Sequence, residues 1–403
     1  METAMGTAMR TVNERPRAAA SDPHPGPPRI LELGLMPLVT AAFPDRTTFL
    51  DTRLRWADVR TRAPRSGSLP VRLLRLARRV AGIGRTCLVQ DYDIVVARCV
   101  GPVNSAGRPL AVHAALSLIG LAFRGLVLFA ARGGRVRLAI LDVTDHLTIH
   151  PRDRAFLRRC DLFFKRELAA NRWNTLETVL PRGACAGHAR QDPACLALRA
   201  KLRPFALGIE AAALRPPVPA AARSHDLFYV GSAQGIAFRE AVNAVLPRLA
   251  ARGWRIHAPA HRLSRDAFAA AIAGSRFCLS PGGVGWDCYR HYEVASLGSV
   301  PIFDTRPLAG IEPFLHGREG FYLDPQEDLE RALDLLLRTD DGEVDRMTAA
   351  AQALVERVYT FDALARYVIA ETLALGPLPR PIPPSAEEAL VTAEAGHRQP
   401  SLN

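Results

Sequence analysis

A chain of 403 residues with 48% hydrophobic content is long enough for two globular domains with separate cores, which excludes a protein dominated by disorder. Its net charge of +12 would raise nucleic acid as a partner, but the basic residues are almost all Arg, with Lys only at 165 and 201, and they lie scattered beside Ala, Leu and Pro, so no nucleic-acid partner is expected. Seven cysteines, at 87, 99, 160, 185, 195, 278 and 288, show no Cys-x-x-Cys spacing; their odd count argues against a disulfide framework and for a reducing cytoplasm.

In chain order, residues 1–28 are polar and rich in Pro and Ala without an apolar core, and read as a disordered leader rather than a signal peptide. Residues 29–210 alternate helical and strand-like runs. Val71–Val80, Leu110–Ala131 and Arg152–Arg159 have helical content, while Asp93–Ala97 and Leu138–Leu141 are apolar strand candidates. Leu110–Ala131 approaches membrane-span length, but His113 and Arg124 interrupt it and Gly133-Gly134 ends it, so a buried helix is expected. Residues 211–224, with Arg215-Pro-Pro-Val-Pro219, cannot continue a helix or central strand and read as a linker. A second domain, 225–360, follows: strand Asp226–Val230, helix Ala237–Ala251, strand Trp254–His257, helix Arg265–Ala273, the run Arg276–Phe303, strand Phe321–Leu323, and helices over Glu327–Arg338 and Val344–Val358. A helix over 361–376 is expected to return to the first domain, before a Pro-rich, disordered tail over 377–403. The pattern predicts an α/β protein of two Rossmann-like domains facing a cleft.

The run Arg276–Phe303 puts polar groups where apolar packing alone would not need them. Phe277-Cys278-Leu279 reads as a strand, ended by Pro281, Gly282, Gly283 and Gly285. Tyr289–Leu297 reads as a helix closed by Gly298, and Val300–Phe303 as the next strand. Glycines admit a ligand close to the backbone, and the following helix offers free N–H groups and a positive dipole end to an anion. Arg290 sits in its first turn and Glu293 at i+3 on the same face, where a plain surface ion pair is the alternative role. The combination Pro281, Gly283, Asp287, Arg290, Tyr292, Glu293, Gly298 and Pro301 resembles the nucleotide-sugar-binding segment of exostosin-like glycosyltransferases and their bacterial relatives. Phe205–Glu210, Leu227–Gly231 with Arg239 downstream, and Cys160–Glu167 look like further segments of that family, so the resemblance covers about residues 138–375. It implies a GT-B arrangement with the donor in the C-terminal domain. Arg290 and the Gly282–Gly285 loop would take the diphosphate and Glu293 the ribose or sugar hydroxyls. Gly231, Ser232, Arg239, Asp287 and Tyr289 would complete the donor site, and transfer would proceed with inversion.

Asp91-Tyr-Asp93 has the acid-x-acid form of a metal-diphosphate site, but it precedes Ile94-Val95-Val96 and so falls at the wrong end of a strand for that task. No metal and no cofactor beyond the nucleotide sugar is expected, since Arg and a helix dipole can stabilise a departing diphosphate. Asp142, Asp145 and His146 follow the carboxyl end of Leu138–Leu141 and face the expected cleft. Asp145 and His146 are the best candidates for the base that deprotonates an acceptor hydroxyl, with an N-cap cluster as the alternative. Cys278 falls in an apolar strand and reads as packing, Ser280 and Cys288 have no base beside them in sequence, and Trp286 could stack on a base or cap the core. The expected activity is transfer of a sugar from a nucleotide-diphosphate sugar, UDP-linked, to a glycan, lipid-linked or small-molecule acceptor. The alternatives are a nucleotide-sugar epimerase and a non-catalytic binding or scaffold protein. A cytoplasmic protein is expected, with peripheral contact to anionic lipid headgroups at the inner membrane face.

Overall fold

The computed structural model describes residues 27–34, 37–51, 81–82, 85, 92–99, 121, 124–131, 136–179, 185–186, 193–231, 236–283, 285–304, 308–324 and 328–376. Nearly all of the expected leader, the tail, the helix over Val71–Val80, most of Leu110–Ala131, and Asp91 lie outside them.

The first half contains β1 (Ile30–Gly34), α1 (Val39–Ala42), β2 (Thr47–Asp51), β3 (Ile94–Arg98), β4 (Arg137–Asp142), α2 (Arg154–Arg159), β5 (Leu162–Lys165), α3 (Arg172–Leu176), the short pair β6 (Thr178–Val179) and β7 (Cys185–Ala186), α4 (Pro193–Ala200) and β8 (Leu202–Pro204). Six of these strands form one sheet, ordered β2-β1-β3-β4-β5-β8, and every neighbouring pair is parallel. The second half holds β9 (His225–Phe228), α5 (Ala237–Ala251), β10 (Ile256–His257), α6 (Arg265–Ala273), β11 (Ser275–Leu279), α7 (Tyr289–Ser296), β12 (Val300–Asp304), β13 (Phe321–Leu323), α8 (Leu329–Leu337), α9 (Asp341–Leu354) and α10 (Phe361–Leu373). Its sheet, ordered β10-β9-β11-β12-β13, is also parallel throughout. Two parallel α/β sheets, as the alternation in sequence predicts, thus face each other across a cleft lined by both halves.

Parallel strands are covered on both faces, so β1, β11 and β12 are buried along their whole length, polar Glu32, Ser275, Arg276 and Asp304 included. Pro301 stands inside β12 without breaking it. Ile302 directs its carbonyl to Ser280 of the β11 side, which turns residue 301 toward β13, and β13 pairs only from Ile302 onward. No ladder donor is missed there. The expected strand Trp254–His257 is cut to two residues because the Arg255 backbone N–H and guanidinium both bind the Asp226 carboxylate. The expected helix Val344–Val358 begins earlier, at Asp341, where Asp340 accepts from Glu343 N, and ends in a π turn over Val355–Tyr359.

The halves do not keep wholly separate cores. One apolar cluster includes Ile94, Leu141 and Phe164 of the first sheet together with Tyr292, Phe303, Leu354 and Val368 of the second half and α10. The chain crosses at Gly208, whose φ of +66° favours glycine and whose absent Cβ would lie 2.5 Å from Leu364 Cδ1. Beyond it, Ile209 N donates to Tyr359 O and Phe361 N donates back to Ile209 O, each at 2.9 Å. Helix α10 then lies on the first half: Tyr367 meets Phe164 edge to face at 5.7 Å, and Arg203 binds Glu371 at 2.7 Å. Among the described residues, no helix is long and apolar enough to cross a membrane.

Candidate functional site

The loop after β11 is built from its backbone outward. Gly282 N donates to Asp304 Oδ1 at the end of β12, and Gly283 N donates to Gly285 O. Arg239, in the first turns of α5, donates to the carbonyls of Gly282 and Pro281. This sequence-predicted donor residue therefore braces the loop. Ser232 lies outside the described residues, whereas Gly231, just past β9, faces the same space: a Cβ there would stand 3.0 Å from Tyr229 Oη and 3.5 Å from Arg290 Nη1.

Arg290 is the exceptional side chain. It leaves the first turn of α7 and lies over the Phe268 ring at 5.7 Å, yet its Nε and Nη1 are buried without a hydrogen-bond partner among the described residues. Tyr229 Oη beside it is likewise buried and unpartnered. Glu293, one turn on, forms no ion pair with Arg290 among the described residues, so the plain surface pair is not formed. Burial raises the Glu293 carboxyl above its usual range, with Arg290 and Arg265 pulling the other way. Burial also raises the Tyr229 phenol, against the pull of Arg239 and Arg290. The carboxyl ends of β9 and β11 thus hold two guanidinium groups, one of them unsatisfied.

Asp287 is placed differently from a ligand-facing carboxylate. Its Oδ2 accepts from Leu207 N at 2.9 Å and its Oδ1 from Tyr292 Oη at 2.5 Å, so it ties the loop to the crossing segment. Tyr289, half exposed, turns toward the first half and lines a cavity with the ends of β1, β3 and β4. The cavity, of about 60 Å³, has room for a few waters.

On the opposite wall, Asp142 is 1% exposed, pairs with Lys165 at 3.2 Å and accepts from Thr144 N and Oγ1. Its carboxylate is spent on shaping the loop. Asp145 is exposed and paired with Arg166, while His146 is exposed and makes no hydrogen bond among the described residues. Asp93 stands just before β3 and accepts from Arg29 N at 2.8 Å, at the end of the sheet away from the cleft. Among the described residues no three His, Cys, Asp or Glu side chains gather as a metal site requires.

Arg166 and Glu167 are the residues that sequence reasoning passed over. Fully buried Glu167 accepts from Trp286 N at 3.0 Å and Asp287 N at 2.9 Å, and Arg166 binds both Glu167 and Asp145. Burial opposes the charge of Arg166, but Glu167, Asp145 and Asp287 together outweigh it and hold its pKa above the ordinary value. Gly285 fits against this group only because it lacks a side chain: a Cβ would stand 2.5 Å from Arg166 Nη2 and 2.6 Å from Glu167 Oε1. The signal in sequence was the family-like segment Cys160–Glu167, whose Lys-Arg-Glu triplet closes the apolar run Leu162–Phe164.

Ser280 does have a base beside it. Its hydroxyl lies 2.7 Å from His291 Nδ1, and His291 Nε2 lies 3.0 Å from Trp286 O. A carbonyl only accepts, so Nε2 carries the proton and Nδ1 accepts from Ser280. Both residues are buried, which makes the pair a strut between β11 and α7. Burial pushes the Cys278 thiol up to about 12, in keeping with packing rather than reaction.

No protein-family model matches the chain, and no curated protein matches it. Among solved structures, Anabaena HepE in complex with UDP and glucose aligns at 14% identity over 87% of this chain and 100% of its own, with a TM-score of 0.45. A glycosyltransferase from Rickettsia africae aligns at 12% identity over 86% and 98%, with a TM-score of 0.46. An α,α-trehalose-phosphate synthase from Burkholderia vietnamiensis aligns at 11% identity over 86% and 99%, with a TM-score of 0.49. Likeness of this degree identifies no activity for this chain.

Proposed function

We propose that this chain is a glycosyltransferase of the GT-B kind, resembling the exostosin-like enzymes, that moves a sugar from a nucleotide-diphosphate sugar to an acceptor hydroxyl. The observation that carries the reading is the Arg290 guanidinium, whose Nε and Nη1 are buried and unpartnered among the described residues, beside Tyr229 Oη and Gly231 at the carboxyl ends of two parallel strands. A buried donor without an acceptor costs about 1–3 kcal/mol, more for a charged group, and an anion held there removes that cost. A diphosphate fits the charge, and the nearby Glu293 suits hydroxyl groups. The acceptor oxygen attacks the anomeric carbon as the bond to the diphosphate breaks; the nucleoside diphosphate leaves with the electron pair, and the hydroxyl proton passes to a base. His146 is the base in this reading, because Asp142 is enclosed and Asp145 is held by Arg166. The reaction needs no metal, and the protein works in the cytoplasm.

Calorimetric titration with UDP tests the donor site. Arg290→Ala and Glu293→Gln each weaken UDP binding at least tenfold while the melting temperature of the free protein is kept or raised, because each removes a buried charge without its own partner; wild-type affinity in either variant would refute the assignment. His146→Ala lowers turnover by about 10²–10⁴-fold with UDP affinity retained, and activity persists in a chelator.

A further inference from the structure

The cavity between the two halves contains a second arginine without a partner among the described residues. Two charged residues line it, Glu32 and Arg98. Glu32 is spent: its oxygens accept from Leu38 N at 2.7 Å, Val39 N at 3.1 Å, Thr40 N at 2.9 Å and Thr40 Oγ1 at 2.7 Å, fixing the start of α1. Arg98, the last residue of β3, makes no hydrogen bond and no ion pair among the described residues. Arginines with a structural task in this chain behave otherwise; Arg223 binds the Val218 carbonyl and Arg239 that of Gly282. Val96, Leu141 and Val143 line the same cavity as half-buried Arg98. Burial accordingly lowers its pKa, with Tyr289 acting against that and Arg166 adding to it.

A planar, half-buried guanidinium without a partner among the described residues is suited to bidentate capture of a carboxylate or phosphate. Its position separates it from the donor site. Tyr289 and Arg290 are consecutive on α7, about 100° apart around the helix, so Tyr289 faces Arg98 in this cavity while Arg290 faces Gly231. We propose that Arg98 is the anion-recognition group of the acceptor subsite, its small cavity taking only the charged group, and that the acceptor is a sugar bearing a carboxylate or phosphate close to the hydroxyl that is glycosylated. This rests on the reading of the cleft as a transferase site and adds the acceptor's charge to it.

Ligand-observed NMR with glucuronate, glucose 6-phosphate and glucose, each in the presence of UDP, tests the proposal on the full chain. At least one anionic sugar binds the wild type at millimolar concentration and glucose at least tenfold more weakly; the tighter of the two anions tells carboxylate from phosphate. Arg98→Gln weakens that binding at least tenfold and Arg98→Lys restores part of it. Val143→Glu, which brings a carboxylate into the same cavity, abolishes it without touching Arg98. Arg98→Gln keeps or raises the melting temperature, since no bond is lost. Absence of binding by both anionic sugars, equal binding of glucose, or wild-type binding in Arg98→Gln overturns the proposal. UDP affinity, measured in parallel, is unchanged in Arg98→Gln. Failure of UDP to bind the wild type refutes the donor reading instead, and the response of the anionic sugars to Arg98 is judged separately.

Discussion

Asp153 illustrates how a buried charge leaves a mark on stability that no contact map displays. It begins α2 at 1% exposure; Oδ1 accepts from Arg124 Nε and Nη2, and Oδ2 has no partner. Burial first, with Asp142 adding and Arg124 and Lys165 opposing, raises its pKa to about 6. An acid with a raised folded-state pKa holds its proton more tightly in the native protein. Its contribution to stability is therefore present below the ordinary value near 4 and lost as pH rises through about 6. Relative to wild type, Asp153→Asn should gain stability steadily between pH 4 and pH 7, by on the order of 2–3 kcal/mol. Urea unfolding of both proteins across that range measures the difference. A difference that stays flat with pH would mean that the unfolded chain and the native site hold this proton equally well.

At the scale of elements, the loop after β11 and the start of α7 are positioned from outside their own half by Glu167. Glu167→Ala leaves the Trp286 and Asp287 amides without their acceptor, at about 1–3 kcal/mol each where they stay buried. The melting temperature should fall, and hydrogen exchange at these two amides should accelerate more than at β11; unchanged exchange at both would show that α7 needs no such clamp. Gly285→Ala should disturb the same place by overpacking, at about 1–3 kcal/mol. Gly283→Ala, whose Cβ would meet the end of the Arg239 side chain at 3.2 Å and Cys288 Sγ at an ordinary 3.7 Å, should cost less. The division between what was legible in sequence and what was not follows from the range of these interactions. Glycine loop, helix start, Arg290 and Glu293 are written within 12 residues, so their spacing could be read directly. Glu167 acts on amides 119 and 120 residues away, and Arg98 is singled out only by having no partner among the described residues, which spacing cannot reveal. Asp287 carried the right pattern and yet has both oxygens occupied, because Tyr292 and the Leu207 amide reach it only in the fold.

For the molecule as a whole, the alternation of strands and helices announced two parallel sheets, but not the apolar cluster that joins them. Helix α10 belongs to the second half by sequence and covers the first by packing, and Tyr359, at the end of the π turn, touches both Tyr292 at 4.9 Å and Phe314 at 5.8 Å. Interdomain surfaces are ordinarily polar enough to let domains move and melt apart. Here Phe164, Tyr292, Phe303, Leu354 and Val368 share one core, so exposing that surface in one half also removes packing from the other. The halves should therefore unfold together, with a single calorimetric transition whose measured enthalpy equals the van't Hoff value. Val368→Ala, fully buried in α10, should lower that transition without splitting it, at about 1–3 kcal/mol for the lost methyl groups and the cavity they leave. Differential scanning calorimetry of both proteins decides the point. Two resolved transitions in the wild type, or a Val368→Ala change that moves only one of them, would mean that the shared cluster is a contact between independently stable domains. In that case the cleft could open without unfolding either half.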